Sequence, residues 1–240
     1  MSSIDDAVRA IHRAKPRKVV VFTGAGISAD SGIPTFRGPS GLWRDFRAED
    51  LATPDAFHRD PLLVWEWYEW RRELIRKAKP NAAHEAVARL PDAVVVTQNV
   101  DGLHARAGAH DVIELHGNFF RVRCTKEHRV LMREGAFDAL PPHCECGALL
   151  RPDVVWFGET LPDDAVARAV SVIRNADLLL VIGTSGVVYP AAGFVTLHRG
   201  LSIEINPEAS GVSSACRFAV AEKAAVATPP IVNAILEAQA

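Results

Sequence analysis

The chain has 240 residues, enough for one sizeable core or for a large domain with a small satellite. Apolar residues make up 48% of it, which excludes a disordered chain. Its 27 Lys and Arg stand against 29 Asp and Glu, and a net charge of −2 leaves no electrostatic footprint for nucleic acid or an acidic membrane.

No apolar run is long enough to span a bilayer. The opening Met1-Ser2-Ser3-Ile4-Asp5-Asp6 has acids and lacks the apolar stretch of a secretory signal, so a cytoplasmic protein is expected. Short β-branched runs alternate with helical stretches, the pattern of a parallel sheet covered by helices. Strands are expected at 18–23 (KVVVFT), 93–97, 111–115, 178–182 and 201–205. Residues 36–80, rich in Trp and Arg, read as mostly helical, with Asp60 as an N-cap and Pro61 in the first turn. Residues 119–155 carry cysteines and weak periodicity, and 231–238 read as a closing helix. The two irregular stretches are expected to build a smaller second domain.

Each expected strand ends in small or polar residues: Gly24-Ala25-Gly26, Gln98-Asn99, His116-Gly117-Asn118, Gly183-Thr184-Ser185 and Asn206-Pro207. Ligands of open α/β sheets bind at such ends, so one composite site is expected. The glycines after the first strand suit a pyrophosphate or merely a tight turn, and taken alone they do not decide between the two. Arg37 could meet a phosphate or face solvent. Gln98, Asn99 and Asp101 are of types that hold an amide or a sugar, and equally of types that cap turns. A lone histidine such as His116 is more often structural than catalytic, but its place at a strand end favours chemistry. Tyr68 and Arg71 share a helix face, where a phenol and a guanidinium can hold a carboxylate. The plainer alternative is an aromatic face packed on the core with its arginines in water.

Six motifs in order carry a more specific signal. They are residues 23–38 (TGAGISADSGIPTFRG), 97–104 (TQNVDGLH), 114–118 (ELHGN), 150–159 (LRPDVVWFGE), Gly183-Thr184-Ser185, and Ile205-Asn206-Pro207. With these the chain closely resembles the sirtuins, NAD-dependent protein-lysine deacylases, from about Val19 to Pro229. The resemblance implies an α/β fold: a Rossmann-like parallel-sheet domain (1–36, 81–118 and 156–240) with a smaller inserted helical and zinc-ribbon-like domain (37–80 and 119–155). It implies NAD as a consumed co-substrate. Contacts to it are expected from Gly24, Ala25, Gly26, Ser28, Ala29, Phe36, Arg37 and Trp43. Others are expected from Gln98, Asn99, Asp101, Gly183, Thr184, Ser185, Asn206 and Ala224. His116 is the implied general base, with Asn99 and Asp101 beside it in the catalytic set. The resemblance implies this course: the acyl-lysine amide oxygen attacks the ribose carbon that bears nicotinamide, and nicotinamide leaves. His116 then activates a ribose hydroxyl against the resulting imidate, and water completes release of lysine and O-acyl-ADP-ribose.

Residues 155–158 (Val155, Trp156, Phe157, Gly158) resemble the segment that pairs with substrate peptide as an added strand. Tyr68-x-x-Arg71 resembles the mark of class III sirtuins, which remove succinyl, malonyl and glutaryl groups. Ala29 is taken as the small residue that leaves room for the longer chain. The expected partners are acylated-lysine proteins, and the expected state is a monomer.

The metal module departs from the family pattern of two Cys-x-x-Cys pairs. Cys124, Cys144 and Cys146 remain, Glu127 stands at the position of the second cysteine, and Cys216 reads as a plain small residue. A structural zinc is expected on the three cysteines with His128 as fourth ligand. Glu127 and His143 are the other candidates, and loss of zinc is the alternative. Two competing functions stay open: an ADP-ribosyltransferase or NAD hydrolase, and a non-catalytic NAD-sensing or peptide-binding module.

Overall fold

A computed structural model describes residues 2–34 and 46–240. In chain order the helices are α1 (Ile4–Ala14), α2 (Ala48–Leu51), α3 (Pro54–Arg59), α4 (Pro61–Lys77), α5 (Ala82–Ala88), α6 (Leu103–Arg106), α7 (Asp163–Arg174), α8 (Ala191–Phe194) and α9 (Ala224–Gln239). The strands are β1 (Val19–Thr23), β2 (Val94–Thr97), β3 (Asp111–Glu114), β4 (Gly117–Cys124), β5 (Val130–Met132), β6 (Leu150–Val154), β7 (Leu178–Ile182), β8 (Leu201–Ile205) and β9 (Phe218–Val220).

Six strands form one parallel sheet in the order β3-β2-β1-β7-β8-β9. The five expected strands are all present, and β9 adds a sixth at the edge. Alternate side chains of one strand enter different cores, as a sheet covered on both faces requires. Val19 and Val21 pack with α1, α5 and α9, while Val20 and Phe22 pack against α7 and α8. Helix α9 begins at Ala224, earlier than expected, and carries Pro229 and Pro230 within it.

A third core belongs to the two irregular stretches. Helices α2, α3 and α4 pack there against a three-stranded antiparallel sheet, β5-β4-β6. Asp60 caps α4 by accepting from Leu63 N–H at 3.0 Å, and Pro61 occupies the first turn, as its sequence demands. Trp65 of α4 donates its indole N–H to the Leu150 carbonyl at 2.8 Å. Leu150 pairs in turn with Cys124 across β6 and β4. Among the described residues no helix is long and apolar enough to cross a membrane.

Candidate active site

A cavity of about 690 Å³ opens where β1, β2, β7 and β8 end, within the size range of small-molecule sites. Strand β1 enters it through Gly24 and Gly26. Gly26 N–H donates to the Gly183 carbonyl at 2.8 Å, and a Cβ on Gly26 would sit 2.7 Å from Gly183 Cα. Gly183 has φ +63 and a Cβ there would lie 2.3 Å from Ile27 N, so both positions require glycine. The two turns therefore interlock and present bare backbone to the cavity. Gln98 Nε2 donates to Thr184 Oγ1 at 3.0 Å, and Asn206 Nδ2 donates to the Thr184 carbonyl at 2.9 Å. These bonds join the ends of β2, β7 and β8 into one wall. Gly24, Ala25, Gly26, Gln98, Asn99, Gly183, Thr184, Ser185 and Asn206 all line the cavity.

His116 lines it too, two residues beyond Glu114 at the end of β3. Its Nδ1 lies 3.0 Å from the Gln98 carbonyl oxygen. A carbonyl only accepts, so Nδ1 carries the proton and Nε2 is left as the basic nitrogen. Burial holds the imidazole below its ordinary pKa, against the smaller opposing effect of that hydrogen bond.

Ser28 is the hub of a buried network behind Asn99. Its hydroxyl donates to Asp101 Oδ2 at 2.7 Å and accepts from Asn99 Nδ2 at 3.2 Å. The other Asp101 oxygen accepts from Leu103 N–H at 2.9 Å. Burial pushes the Asp101 carboxyl upward, and these bonds offset part of that. Thr23 Oγ1 donates to Thr97 Oγ1 at 2.8 Å and touches His104 Nε2 at 3.0 Å. His84 approaches Ser28 Oγ at 3.4 Å, and its ring lies 5.0 Å from that of His104. Burial drives His84 to about 4 and His104 to about 3, so both are neutral at pH 7. Ser28 and Asp101 thus fix Asn99 from behind and are not themselves wall residues. This network escaped sequence reading because Thr23, His84, Thr97 and His104 are common core polar residues until they meet.

Two further expected contacts lie elsewhere. Ala224 packs in the sheet core at the start of α9 and does not line the cavity, because the helix begins there and turns it inward. Ala29 is exposed on the short 3₁₀ segment Ala25–Ser31 and does not line it either. Ala52, after α2, does line it, and its carbonyl accepts from Phe157 N–H at 2.9 Å. Phe36, Arg37 and Trp43 lie outside the described residues.

The second lobe supplies the opposite wall. Tyr68 lines it and is only 2% exposed; its hydroxyl accepts from Trp156 Nε1 at 2.8 Å. Arg71 stands one layer back, its Cζ 5.5 Å from the Trp67 ring and 5.7 Å from the Phe119 ring, and both rings line the cavity. Burial lowers its pKa to about 10, which still leaves it charged at neutral pH. Val155, Trp156, Phe157 and Gly158 line the mouth. Three N–H groups of this segment are used within the chain: Val155 to His116 O, Trp156 to Glu159 Oε2 and Phe157 to Ala52 O, each at 2.9 Å.

Away from the cavity Cys124, Glu127, Cys144 and Cys146 place one ligand atom each within 4.8 Å of the others. Three thiols and a carboxylate suit tetrahedral zinc. Cys146 N–H and then Arg129 lower the Cys144 thiol to about 7, toward the thiolate that binds metal. Glu127 is the fourth member of this cluster, and His128, the expected ligand, lies outside it. The chain turns tightly after Cys124, so that Glu127 N–H donates to Cys124 Sγ at 3.3 Å, while His128 passes into the left-handed region at φ 57. The residue three positions on meets the metal site; the one four positions on has turned out of it. His143 is likewise outside the group.

The Sir2 family model matches residues 24–190. The chain belongs to the Sir2 family. It is 51% identical over 236 residues to the NAD-dependent protein deacylase of Pyrococcus furiosus, covering 92% of this chain and 94% of that protein. It is 49% identical over 233 residues to the NAD-dependent protein deacylase of Aquifex aeolicus, covering 91% and 95%. A crystal structure of a Sir2 homolog–NAD complex superposes with a TM-score of 0.91 at 44% identity, covering 98% of this chain and 95% of that one. A Sir2–p53 peptide–NAD+ complex superposes at 0.81 and 31% identity, covering 97% and 95%. The interlocked glycines, the Gln98–Thr184–Asn206 wall and His116 give this Sir2 chain the donors and bare backbone that a dinucleotide needs.

Proposed function

We propose that this Sir2 chain is an NAD-dependent protein-lysine deacylase that removes succinyl and malonyl groups, with some deacetylation. The deacylase activity follows the similarity over nearly the whole chain to proteins of that name. Preference for acidic acyl groups is the finer reading. It is supported by one observation: a phenol in the cavity wall, Tyr68, with a buried cation, Arg71, one layer behind it. A buried guanidinium is costly to desolvate, and an anionic acyl tail offsets that cost where a methyl group does not.

His116 is the proposed base, its Nε2 taking the proton of a ribose hydroxyl. Asn99, held by Ser28 and Asp101, orients the nicotinamide end, and the glycine turns meet the phosphates. The 155–158 segment receives the peptide. The same reading keeps the division into a sheet domain and a smaller domain built from 37–80 and 119–155, and a zinc on Cys124, Glu127, Cys144 and Cys146 with a structural role only.

The test is a set of acetyl-, malonyl-, succinyl- and glutaryl-lysine versions of one peptide, each with and without NAD, read by mass. Loss of the acyl group only with NAD, and fastest from the acidic versions, is expected. Rapid nicotinamide release from NAD alone would instead identify an NAD hydrolase, and unchanged peptides a non-catalytic module.

A further inference from the structure

We infer that Trp156 is a positioning residue: it locks the Tyr68 hydroxyl as a hydrogen-bond donor toward the acyl carboxylate. This rests on the acyl reading above. A phenol can give one proton and accept others, whereas an indole N–H can only give. Trp156 Nε1 donates to the Tyr68 oxygen at 2.8 Å, so the acceptor side of the phenol is filled. The phenolic proton has no acceptor among the described residues, and Tyr68 lines the cavity. Burial pushes the phenol's pKa up, so the proton is always present at physiological pH. What remains is a donor without a partner, in a wall that an acyl chain would touch. A carboxylate is an acceptor only and satisfies it; an acetyl methyl group offers nothing.

The indole is itself held from several sides. Arg151 Cζ lies 3.5 Å from the centroid of the Trp156 ring. Both terminal guanidinium nitrogens of Arg151 bind Glu159, at 2.6 and 2.9 Å, a bidentate pair that fixes its plane. Glu159 also accepts from Trp156 N–H at 2.9 Å, and its own N–H donates to the Trp156 carbonyl at 3.0 Å. The Phe57 ring packs 5.2 Å away. The indole therefore cannot swing off the phenol without breaking a charged clamp. Because the Trp156 main chain lies in the peptide segment, the residue that meets the peptide and the residue that sets the phenol are one.

Trp156→Phe keeps the ring and removes the donor. The readout is the ratio of kcat/KM for succinyl-lysine to acetyl-lysine in one peptide, which cancels any shared loss in peptide binding. The ratio is expected to fall about tenfold, mainly through a higher KM for the succinyl peptide, the size of one hydrogen bond to a charged group. In a Tyr68→Phe background the same change is expected to leave the ratio unmoved. Should Trp156→Phe fail to fold, Glu159→Gln loosens the clamp with the indole in place, and a fall of about threefold is expected. Equal losses on both substrates, with Tyr68→Phe still shifting the ratio, would overturn the role of Trp156 alone. A ratio insensitive to Tyr68→Phe would overturn the acyl reading and this inference with it.

Discussion

His116 Nδ1 sits 3.0 Å from the main-chain carbonyl of Gln98, and this single contact assigns the ring's tautomer. The nitrogen left for chemistry is Nε2. Burial keeps the imidazole below its ordinary value of 6.5, so it is already neutral at pH 7. A base works in its neutral form, so kcat/KM is expected to be flat above about pH 6.5 and to fall as the ring protonates in acid. An inflection above pH 7 assigned to His116 would contradict this. His116→Asn is expected to cost about 10²- to 10⁴-fold in turnover with the fold intact by circular dichroism.

Arg71→Met separates the two halves of the proposed specificity. It removes the charge and keeps most of the bulk between Trp67 and Phe119. Desuccinylation is expected to fall at least about tenfold further than deacetylation, as loss of a buried positive charge close behind the wall implies. Equal losses on the two peptides would show that Arg71 reads no carboxylate.

The metal cluster makes its own prediction. Protein purified without added zinc is expected to carry about one zinc per chain by elemental analysis, and a chelator is expected to lower Tm. Glu127→Cys restores a fourth thiolate and should raise the chelator concentration needed for half loss; His128→Ala should leave it unchanged. A stoichiometry near zero would remove the metal and leave the catalytic reading untouched.

His84 and His104 bear on stability rather than chemistry. Their folded pKa values, about 4 and about 3, lie below the unfolded value of 6.5. The stability they confer is complete above about pH 6.5 and is lost as pH falls toward the folded values, because the unfolded chain binds protons that the native state refuses. Each contributes a slope approaching about 1.4 kcal/mol per pH unit in that window. Asp101 acts in the opposite sense, since burial raises its pKa and acid relieves the cost of its charge. Urea denaturation of His104→Gln between pH 7.5 and 4.5 should show a shallower acid loss than the parent; identical slopes would refute the assignment.

Much of this was legible in the chain itself, for identifiable reasons. Strands β7 and β8 bury nearly every residue, so they read as unbroken apolar runs. Asp60-Pro61 marked the start of α4 because capping chemistry is local. Strand β9 was not legible: it is three residues long, at a sheet edge and only partly buried. The first turns of α9 were hidden by Pro229-Pro230, which local rules read as a break. Glycines, His116 and the Gln98-Asn99 pair stood out by residue type and place at strand ends. Ala52 could not, since an alanine carries no mark of the wall it will face, and the choice of Glu127 over His128 depends on a turn whose direction no spacing rule specifies.

The indole of Trp65, pinned to the Leu150 carbonyl opposite Cys124, has an evolutionary corollary. The helix that bears Tyr68 takes its seat from the cysteine loop. A remodelling of that loop, trading a thiol for a carboxylate or shortening a hairpin, therefore acts on the helix through this bond. Under the acyl reading, a drift in substrate taste can then begin far from any residue that touches substrate, and inspection of the pocket alone would not reveal its origin.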